Sequence, residues 1–484
     1  MSFLRGPDRA ETQMLPPCLD DYVAPNAPVR FVDAFVEGLD FQRLGFTRAQ
    51  PADTGRPPYH PADLLKLYLC GYLNRIRSSR RLEAEAARNL EVIWLLRGLR
   101  PDFKTIADFR KLNRACFKGV FRQFNLLCRK LDLFGAELVA IDGSKFKAVN
   151  NARRHYTREE LQELVQKVEA RIEAYLGELD RQDAEAEGVS DAPRPEALQE
   201  KIAQLQQRQG DYAALLAELE QTHQSEVSLT DADSRGMKRV GVGYNVQLAV
   251  DAKHDLIVET EVVQAANDLG QLAGMAVAAK EALAVEQLQV VADAGYHEAG
   301  QLEVCETTGI ETYVPSPGGT SGQGKAGHAV YPKEAFHYQS ETDSYRCPEG
   351  QRLVRQHEGQ SQGKTRVYYY DQAACRSCPR KAACTTGAYR RVSRLVNEAV
   401  VERQAIRTAA HPEIVAERKT IVEHVFGTLR NWGHDTFLMK GVEKVRGEFC
   451  LSALTYNLRR VLGLVSWAEF LAAVNSVATT GTTA

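Results

Sequence analysis

The 484-residue chain has no apolar run long enough to cross a bilayer. Its first residues, Met1-Ser2-Phe3-Leu4-Arg5-Gly6-Pro7-Asp8, lack the apolar segment of a secretory signal. Both absences point to a cytoplasmic protein. Ten cysteines in so long a chain are too dilute for a disulfide scaffold, and in a reducing compartment grouped cysteines read as metal ligands before bridges. Net charge is scarce too, formally −2, but an average over the chain hides local patches and excludes no class of partner. Ordinary apolar residues are plentiful, 44% of the chain, which is core material for roughly two to four domains.

Glu137-Leu138-Val139-Ala140-Ile141-Asp142-Gly143-Ser144-Lys145-Phe146-Lys147 reads as a strand buried on both faces and interrupted by one acid. A carboxylate there is costly without a nearby cation. Taken alone, Asp142 reads first as a turn residue before Gly143, and the rest of the chain has to overturn that. A second apolar strand, Leu288-Gln289-Val290-Val291-Ala292-Asp293-Ala294-Gly295-Tyr296, repeats the form and also ends in a lone acid.

Residues 1 to about 59 read as an arm with one short helix near Arg30 to Leu39. From Tyr59-His60-Pro61 the apolar spacing turns helical, through Leu64, Tyr68, Tyr72 and Ile76, then Leu82, Ala86, Leu90, Ile93 and Leu96. Between the two runs lies Arg75-Ile76-Arg77-Ser78-Ser79-Arg80-Arg81, with Ser79 as a candidate cap, which is a helix-turn-helix pattern. A third helical segment runs from Asp102 through Lys104, Arg110 and Lys111 to Leu127. Residues 60–130 hold about sixteen Lys and Arg against about six acids. That excess suits DNA phosphate, and it suits a solvated basic face equally. Residues 156–227 carry two heptad-like runs around a break at Gly188 to Pro195 and read as an antiparallel helical hairpin, an insertion able to make a dimer contact. Tyr244–Asp251 alternates with period two and pairs with Leu256–Val263 as a hairpin. A helix follows from Asp268 to Ala284, capped at Asn267 or Asp268.

Two strands ending in Asp at one end of a mixed sheet call for a divalent ion such as Mg²⁺, which takes oxygen ligands and in pairs clamps both oxygens of a phosphoryl displacement. A third carboxylate is expected from the helix Glu413 to Trp432. Glu423 adjoins its apolar stripe of Ile414, Ile421, Val422, Val425, Phe426 and Leu429, whereas Glu417 lies nearer the exposed face; Glu423 is the choice.

The words Val139-Ala140-Ile141-Asp142-Gly143-Ser144, Ala292-Asp293-Ala294-Gly295-Tyr296 and Lys419-Thr420-Ile421-Val422-Glu423-His424-Val425-Phe426-Gly427 resemble the DDE transposases of bacterial insertion sequences. So do Thr230-Asp231-Ala232-Asp233-Ser234-Arg235 and Ala453-Leu454-Thr455-Tyr456-Asn457-Leu458-Arg459-Arg460. The resemblance covers nearly the whole chain. It implies a ribonuclease H-like α/β core in which Asp142, Asp293 and Glu423 hold two Mg²⁺ (or Mn²⁺) ions, with Asp142 bridging them. Its last-helix signature of Tyr, Arg, Glu and Lys falls here on Ala416, Lys419, Glu423 and Arg430. The aromatic is missing, and Trp432 is a candidate substitute.

Between the second Asp and the Glu, a flexible Gly-rich run (Pro317 to Gly327) opens an insertion with Cys347, Cys375, Cys378 and Cys384. Four thiolates suffice for tetrahedral Zn²⁺; free thiols are the alternative, and His357 is a rival ligand. Arg376, Arg380, Lys381, Arg390, Arg391 and Arg394 around it could reach a phosphate backbone. Cys18, Cys70, Cys116, Cys128, Cys305 and Cys450 read as buried small hydrophobes.

The expected architecture is therefore α/β: a ribonuclease H-like mixed sheet flanked by helices (136–155, 228–316 and 397–475), an all-α N-terminal DNA-binding domain (1–135), the helical hairpin (156–227), a zinc-ribbon-like insertion (317–396) and a disordered tail (476–484). The expected function is a transposase that binds terminal inverted repeats, cleaves at the element ends and joins 3′-hydroxyls to target DNA. Its partners would be double-stranded DNA and a second copy of the chain. Arg75, Arg77, Arg80, Arg81, Lys104, Arg110, Lys111, Lys145, Lys147, Lys419 and Arg430 are the expected DNA contacts. A nuclease that cuts without joining, or a domesticated DNA-binding protein, are the other readings.

Overall fold

The structure is a computed structural model, and it describes residues 18–50, 57–150, 154–184, 195–317, 331–361 and 363–480. The tip of the helical hairpin (185–194) and most of the Gly-rich run (318–330) lie outside the described residues, as do 481–484.

The chain opens with helices α1 (Pro28–Glu37), α2 (Pro61–Leu73), α3 (Ser79–Arg88), α4 (Leu90–Leu95), α5 (Phe103–Leu112) and α6 (Cys116–Lys130). Where the spacing suggested one helix through Leu82 to Leu96, the chain breaks at Asn89, whose side chain accepts the Glu91 N–H at 3.1 Å and starts α4. Ser79 is the first residue of α3; Ser78 holds the cap position, without a side-chain cap bond. Asp102 caps α5 through the Lys104 and Thr105 N–H groups, both at 2.9 Å. All of α2 except Leu73 is buried. Its one cation, Lys66, is stabilised inside by Asp33 at 2.7 Å and by Glu37.

The central sheet begins with β1 (Leu138–Lys147). After it come β2 (His155–Thr157), the hairpin helices α7 (Arg158–Ala184) and α8 (Pro195–Thr222), and β3 (Glu226–Ser228), which pairs with β2. Small cores of Val168, Ile172, Ile202 and Leu205, and of Leu161, Leu219 and Val227, hold α7 to α8 apart from the main core. Then follow β4 (Arg235–Met237), β5 (Gly241–Asp251), β6 (Ile257–Val263), α9 (Leu272–Leu283), β7 (Leu288–Val291), α10 (Ala299–Thr307) and β8 (Ile310–Tyr313). Across the sheet the order is β6-β5-β1-β7-β8, with β4 also on β5. β1, β5 and β6 form an antiparallel meander; β7 and β8 run parallel to β1. The first turn of α9 starts at Leu272, so Asp268 lies before the helix and does not cap it.

A second sheet follows in the cysteine-rich region: β9 (His337–Gln339), β10 (Ser344–Arg346), β11 (Arg352–Ser361) and β12 (Lys364–Tyr370), then short helices α11 (Gln372–Arg376) and α12 (Lys381–Cys384), and β13 (Val392–Leu395). It is antiparallel, with its own core of Phe336, Tyr345, Leu353, Val367, Tyr369 and Val392. The chain closes with α13 (Glu398–Ala410), α14 (Pro412–Asn431), α15 (Val442–Val461) and α16 (Trp467–Thr480). The tail expected from 476 is helical through Thr480.

The N-terminal helices and the central sheet share one continuous core. Phe117, Phe121 and Phe124 on α6 are fully buried in the same cluster as Val139, Val246, Val290 and the apolar face of α15; each such side chain contributes about 1.5–3 kcal/mol. Two of the motif-like words serve this packing. Asp231 accepts from Tyr244 Oη at 2.9 Å and from the Gly441 N–H at 3.0 Å, and Asp233 accepts the Val442 N–H, fastening the start of α15. Asn457 pairs with both backbone groups of Ile257 on β6.

Among the described residues no helix is long and apolar enough to cross a membrane.

Candidate functional site

β1 does not end at Asp142: it continues to Lys147, and Asp142 lies mid-strand opposite Leu248 of β5. On the other side, β1 and β7 pair only through Ala140 and Val291. Two residues beyond that last pair stand Asp142 and Asp293, so the cleft where the two parallel strands part carries both acids. Asp293 caps the short turn Ala294–Tyr296, accepting the Gly295 N–H at 2.8 Å. Burial raises the Asp142 carboxyl to about 6, against the pull of the Arg418 guanidinium and the Gly143 N–H, while Asp293 and Asp268 push it further up.

Side chains alternate along β1, and 142, 144 and 146 share a face. α14 covers that face: Phe146 meets Phe426 edge-on at 6.2 Å, and Arg430 donates to the Ser144 hydroxyl. Ile421, Val422, Val425, Phe426 and Leu429 bury the helix as the spacing implied, which leaves Glu423 at the rim with its side chain 55% exposed. Arg418 joins the two elements. Its Nη1 donates to Asp142 Oδ2 at 2.8 Å, and its Nη2 stands 3.6 Å from Glu423 Oε1. Glu417 is exposed.

The opposite face of β1 carries a second polar group that the sequence reading missed. Asp268 accepts from Lys145 Nζ at 3.1 Å, Asn245 Nδ2 at 2.7 Å and Gln247 Nε2 at 2.8 Å, and Tyr296 donates to Gln247 Oε1. Asn245 and Gln247 are buried, so β5 is enclosed on both faces along most of its length, and its period-two polarity marks an internal network instead of a wet face. Two buried amides in one strand were the available signal. Gly143 makes room for this group: a Cβ there would lie 2.4 Å from both Asp268 Oδ1 and Gln247 Nε2.

The expected DNA contacts divide by environment. Lys145 is a correction: its ammonium is committed to Asp268 behind the sheet. Arg77 is another, donating to the Thr436 carbonyl at 2.6 Å and lying 3.6 Å from buried Glu448. Arg110 is a third, buried under Tyr68 and bonded to the Arg77 carbonyl at 3.3 Å. Arg75, Arg80, Arg81, Lys104, Lys111, Lys147, Lys419 and Arg430 are exposed. Trp432 packs on the main core beside His434 and Tyr456.

In the second sheet, Cys347, Cys375, Cys378 and Cys384 line one small cavity. Burial raises the Cys384 thiol; Arg390 opposes that, and the other three thiols are near enough to add to it. His357 is elsewhere, stacked on Tyr368 at 5.0 Å, and is no rival ligand. Around the thiols, Arg394 is bound to Glu402 and buried, and Arg390 donates to the Cys384 and Tyr331 carbonyls. Among the described residues, no three His, Cys, Asp or Glu side chains are disposed to hold one metal ion between them as they stand. Of the remaining cysteines Cys18 is exposed, contrary to expectation; the other five are buried.

Two family models match the chain: a transposase domain (DUF772) over residues 17–112 and a transposase DDE domain over residues 346–462. Both descriptions are of transposases, and together the two matches support a DDE transposase of an insertion sequence. No curated protein matches. Among solved structures, a piggyBac transposase synaptic complex with hairpin DNA aligns over 94% of this chain and 82% of its own, at 8% identity and a TM-score of 0.29.

Proposed function

We propose that Asp142, Asp293 and Glu423 are the catalytic carboxylates of a ribonuclease H-like core that cleaves DNA at the ends of a mobile element and joins the freed 3′-hydroxyls to target DNA. The observation that carries this reading is the register of β1 and β7, which sets Asp142 and Asp293 side by side beneath the helix bearing Glu423. The strand order, a three-stranded meander followed by two strands parallel to the first, supports the ribonuclease H-like assignment.

The donor set fits Mg²⁺ or Mn²⁺: it is all carboxylate oxygen, and Glu423 faces solvent with room for retained water. Bound there, a pair of such ions supplies an activated water or 3′-hydroxyl and offsets charge on the leaving oxygen. Asp142, on the central strand, would hold the ions together with Asp293 and Glu423. The chain's own part is to fix the carboxylates on rigid elements. Arg430, held by Ser144, and exposed Lys419 and Lys147 would steady the phosphate backbone.

The exposed cations of α3 and α5, with Arg75 in the turn before α3, would bind the terminal inverted repeats in helix-turn-helix fashion. Two copies of the chain would act on the two ends, with the α7–α8 hairpin as a contact between them. The four cysteines would hold a structural Zn²⁺ once their side chains turn inward; convergence on one cavity supports this.

The decisive experiment uses the DNA flanking the gene as substrate. Mg²⁺-dependent nicking at a matched repeat, followed by joining of a precleaved end to a second duplex, is the expected result. Cleavage without joining would indicate a nuclease; binding with neither would indicate a DNA-binding protein only.

A further inference from the structure

We infer that Arg418 is a tethered counter-ion that closes the carboxylate site until DNA draws it away, so that metal loading follows substrate binding. The inference rests on the carboxylate assignment above. Arg418 lies on the edge of the buried stripe of α14, its side chain only 11% exposed. A guanidinium so far withdrawn from water needs anionic partners, and the two it has are Asp142 and Glu423. Both oxygens of Asp142 are then occupied, Oδ1 by the Gly143 N–H at 2.8 Å and Oδ2 by Arg418. Arg418 stands between Asp142 and Glu423, where an ion shared by the two would sit, so such an ion competes with the guanidinium for the same carboxylates.

Charge decides the order of events. With Arg418 in place its positive charge cancels part of the attraction the three carboxylates exert on a divalent ion; once the guanidinium is drawn onto phosphate, the full negative charge of the site faces the metal. Phosphate is the natural new partner for the displaced guanidinium, whose planar fork matches it. Lys419, at the position where the resemblance sets the family's Arg, is exposed. Arg418, one residue toward the N-terminus, lies on the side of the helix that faces β1.

The test is a Mn²⁺ titration of the full chain, read from the paramagnetic resonance of free Mn²⁺. Without DNA, Arg418→Gln should bind Mn²⁺ at least about tenfold more tightly than the wild type, the equivalent of one lost charged hydrogen bond. Arg418→Lys should lie between. Adding a duplex copied from the flanking repeat should tighten Mn²⁺ binding to the wild type and leave Arg418→Gln nearly unchanged. Equal or weaker binding by Arg418→Gln overturns the clamp, and a wild-type affinity indifferent to DNA overturns its release by DNA. The double variant Asp142→Asn/Arg418→Gln separates the two levels. If it binds Mn²⁺ as tightly as Arg418→Gln, the carboxylate assignment itself fails; if Asp142 governs binding equally with and without Arg418, only the clamp fails.

Discussion

Asp142 and Asp293 stand in register across β1 and β7, each two residues beyond the last paired positions, Ala140 and Val291. Parallel strands that part just before two acids form a cleft the backbone ladder cannot fill; Asp142 accepts from the Gly143 N–H and from Arg418 there, and Asp293 from the Gly295 N–H. Asp142 is the more enclosed, and its raised carboxyl pKa records what that enclosure costs.

Removing the charge of Asp142 should therefore separate stability from activity. Asp142→Asn should abolish Mg²⁺-dependent cleavage of an end-containing duplex and leave duplex binding intact. Because the folded carboxyl is raised to about 6 from its ordinary value of 3.8, the folded state binds the extra proton between those values, and stability falls as pH rises through that window. At neutral pH the variant should be more stable than the wild type, by up to about 3 kcal/mol, with the pull of Arg418 already included in that shift. Urea unfolding at pH 7 and pH 4 measures it; the gain should vanish at the lower pH.

The same proton competes with metal. Cleavage by the wild type should decline as pH drops below about 6, since only the carboxylate form is a ligand. Raising Mn²⁺ at pH 5.5 should restore part of the rate, and a pH–rate profile at two metal concentrations is the measurement.

Gly143 is required by what lies behind it. Gly143→Ala puts a methyl 2.4 Å from Asp268 Oδ1 and Gln247 Nε2, both in a buried network. A loss of about 1–3 kcal/mol in denaturant unfolding is expected, the usual range for overpacking, with cleavage reduced further because β1 carries Asp142.

Glu448 holds the N-terminal helices to the core. It is fully enclosed, accepts the Leu438 and Met439 N–H groups at 3.0 Å, and faces Arg77. Glu448→Ala leaves those donors without an acceptor and the Arg77 guanidinium without its counter-charge, keeping only the Thr436 carbonyl, and should cost about 3–5 kcal/mol. Calorimetry of the full chain would register it as a lower melting temperature.

Excising residues 158–222 and joining β2 to β3 by a short glycine linker should leave the melting temperature of the remainder nearly unchanged. The hairpin's apolar contacts lie in its own two small cores, and none of the three acids comes from it. Circular dichroism should show helix lost without loss of cooperativity.

Much of this molecule is visible in its local patterns. The apolar run around Val139–Ile141, the heptads of the hairpin and the stripe of α14 each depend on side-chain spacing within one element, and the elements form where that spacing sets them. The helix break at Asn89 was hidden, because a capping side chain interrupts a periodic run without disturbing its period. The fate of individual cations was hidden as well. Arg75 and Arg77 are neighbours in one basic turn, yet one is exposed and the other is engaged by Thr436 and Glu448.

By itself the sequence determined the type and order of most elements and marked Asp142, Asp293 and Glu423 as the candidate acids, because strand and helix periodicity and the expense of a lone buried carboxylate are local properties. Only the tertiary structure decided what each acid meets. Arg418 reaches Asp142 across 276 residues of chain, and Lys145 turns away from the cleft because its parity on β1 points it at Asp268. Pairings of that kind depend on register and helix docking. These are fixed by the core as a whole, and no segment carries them alone.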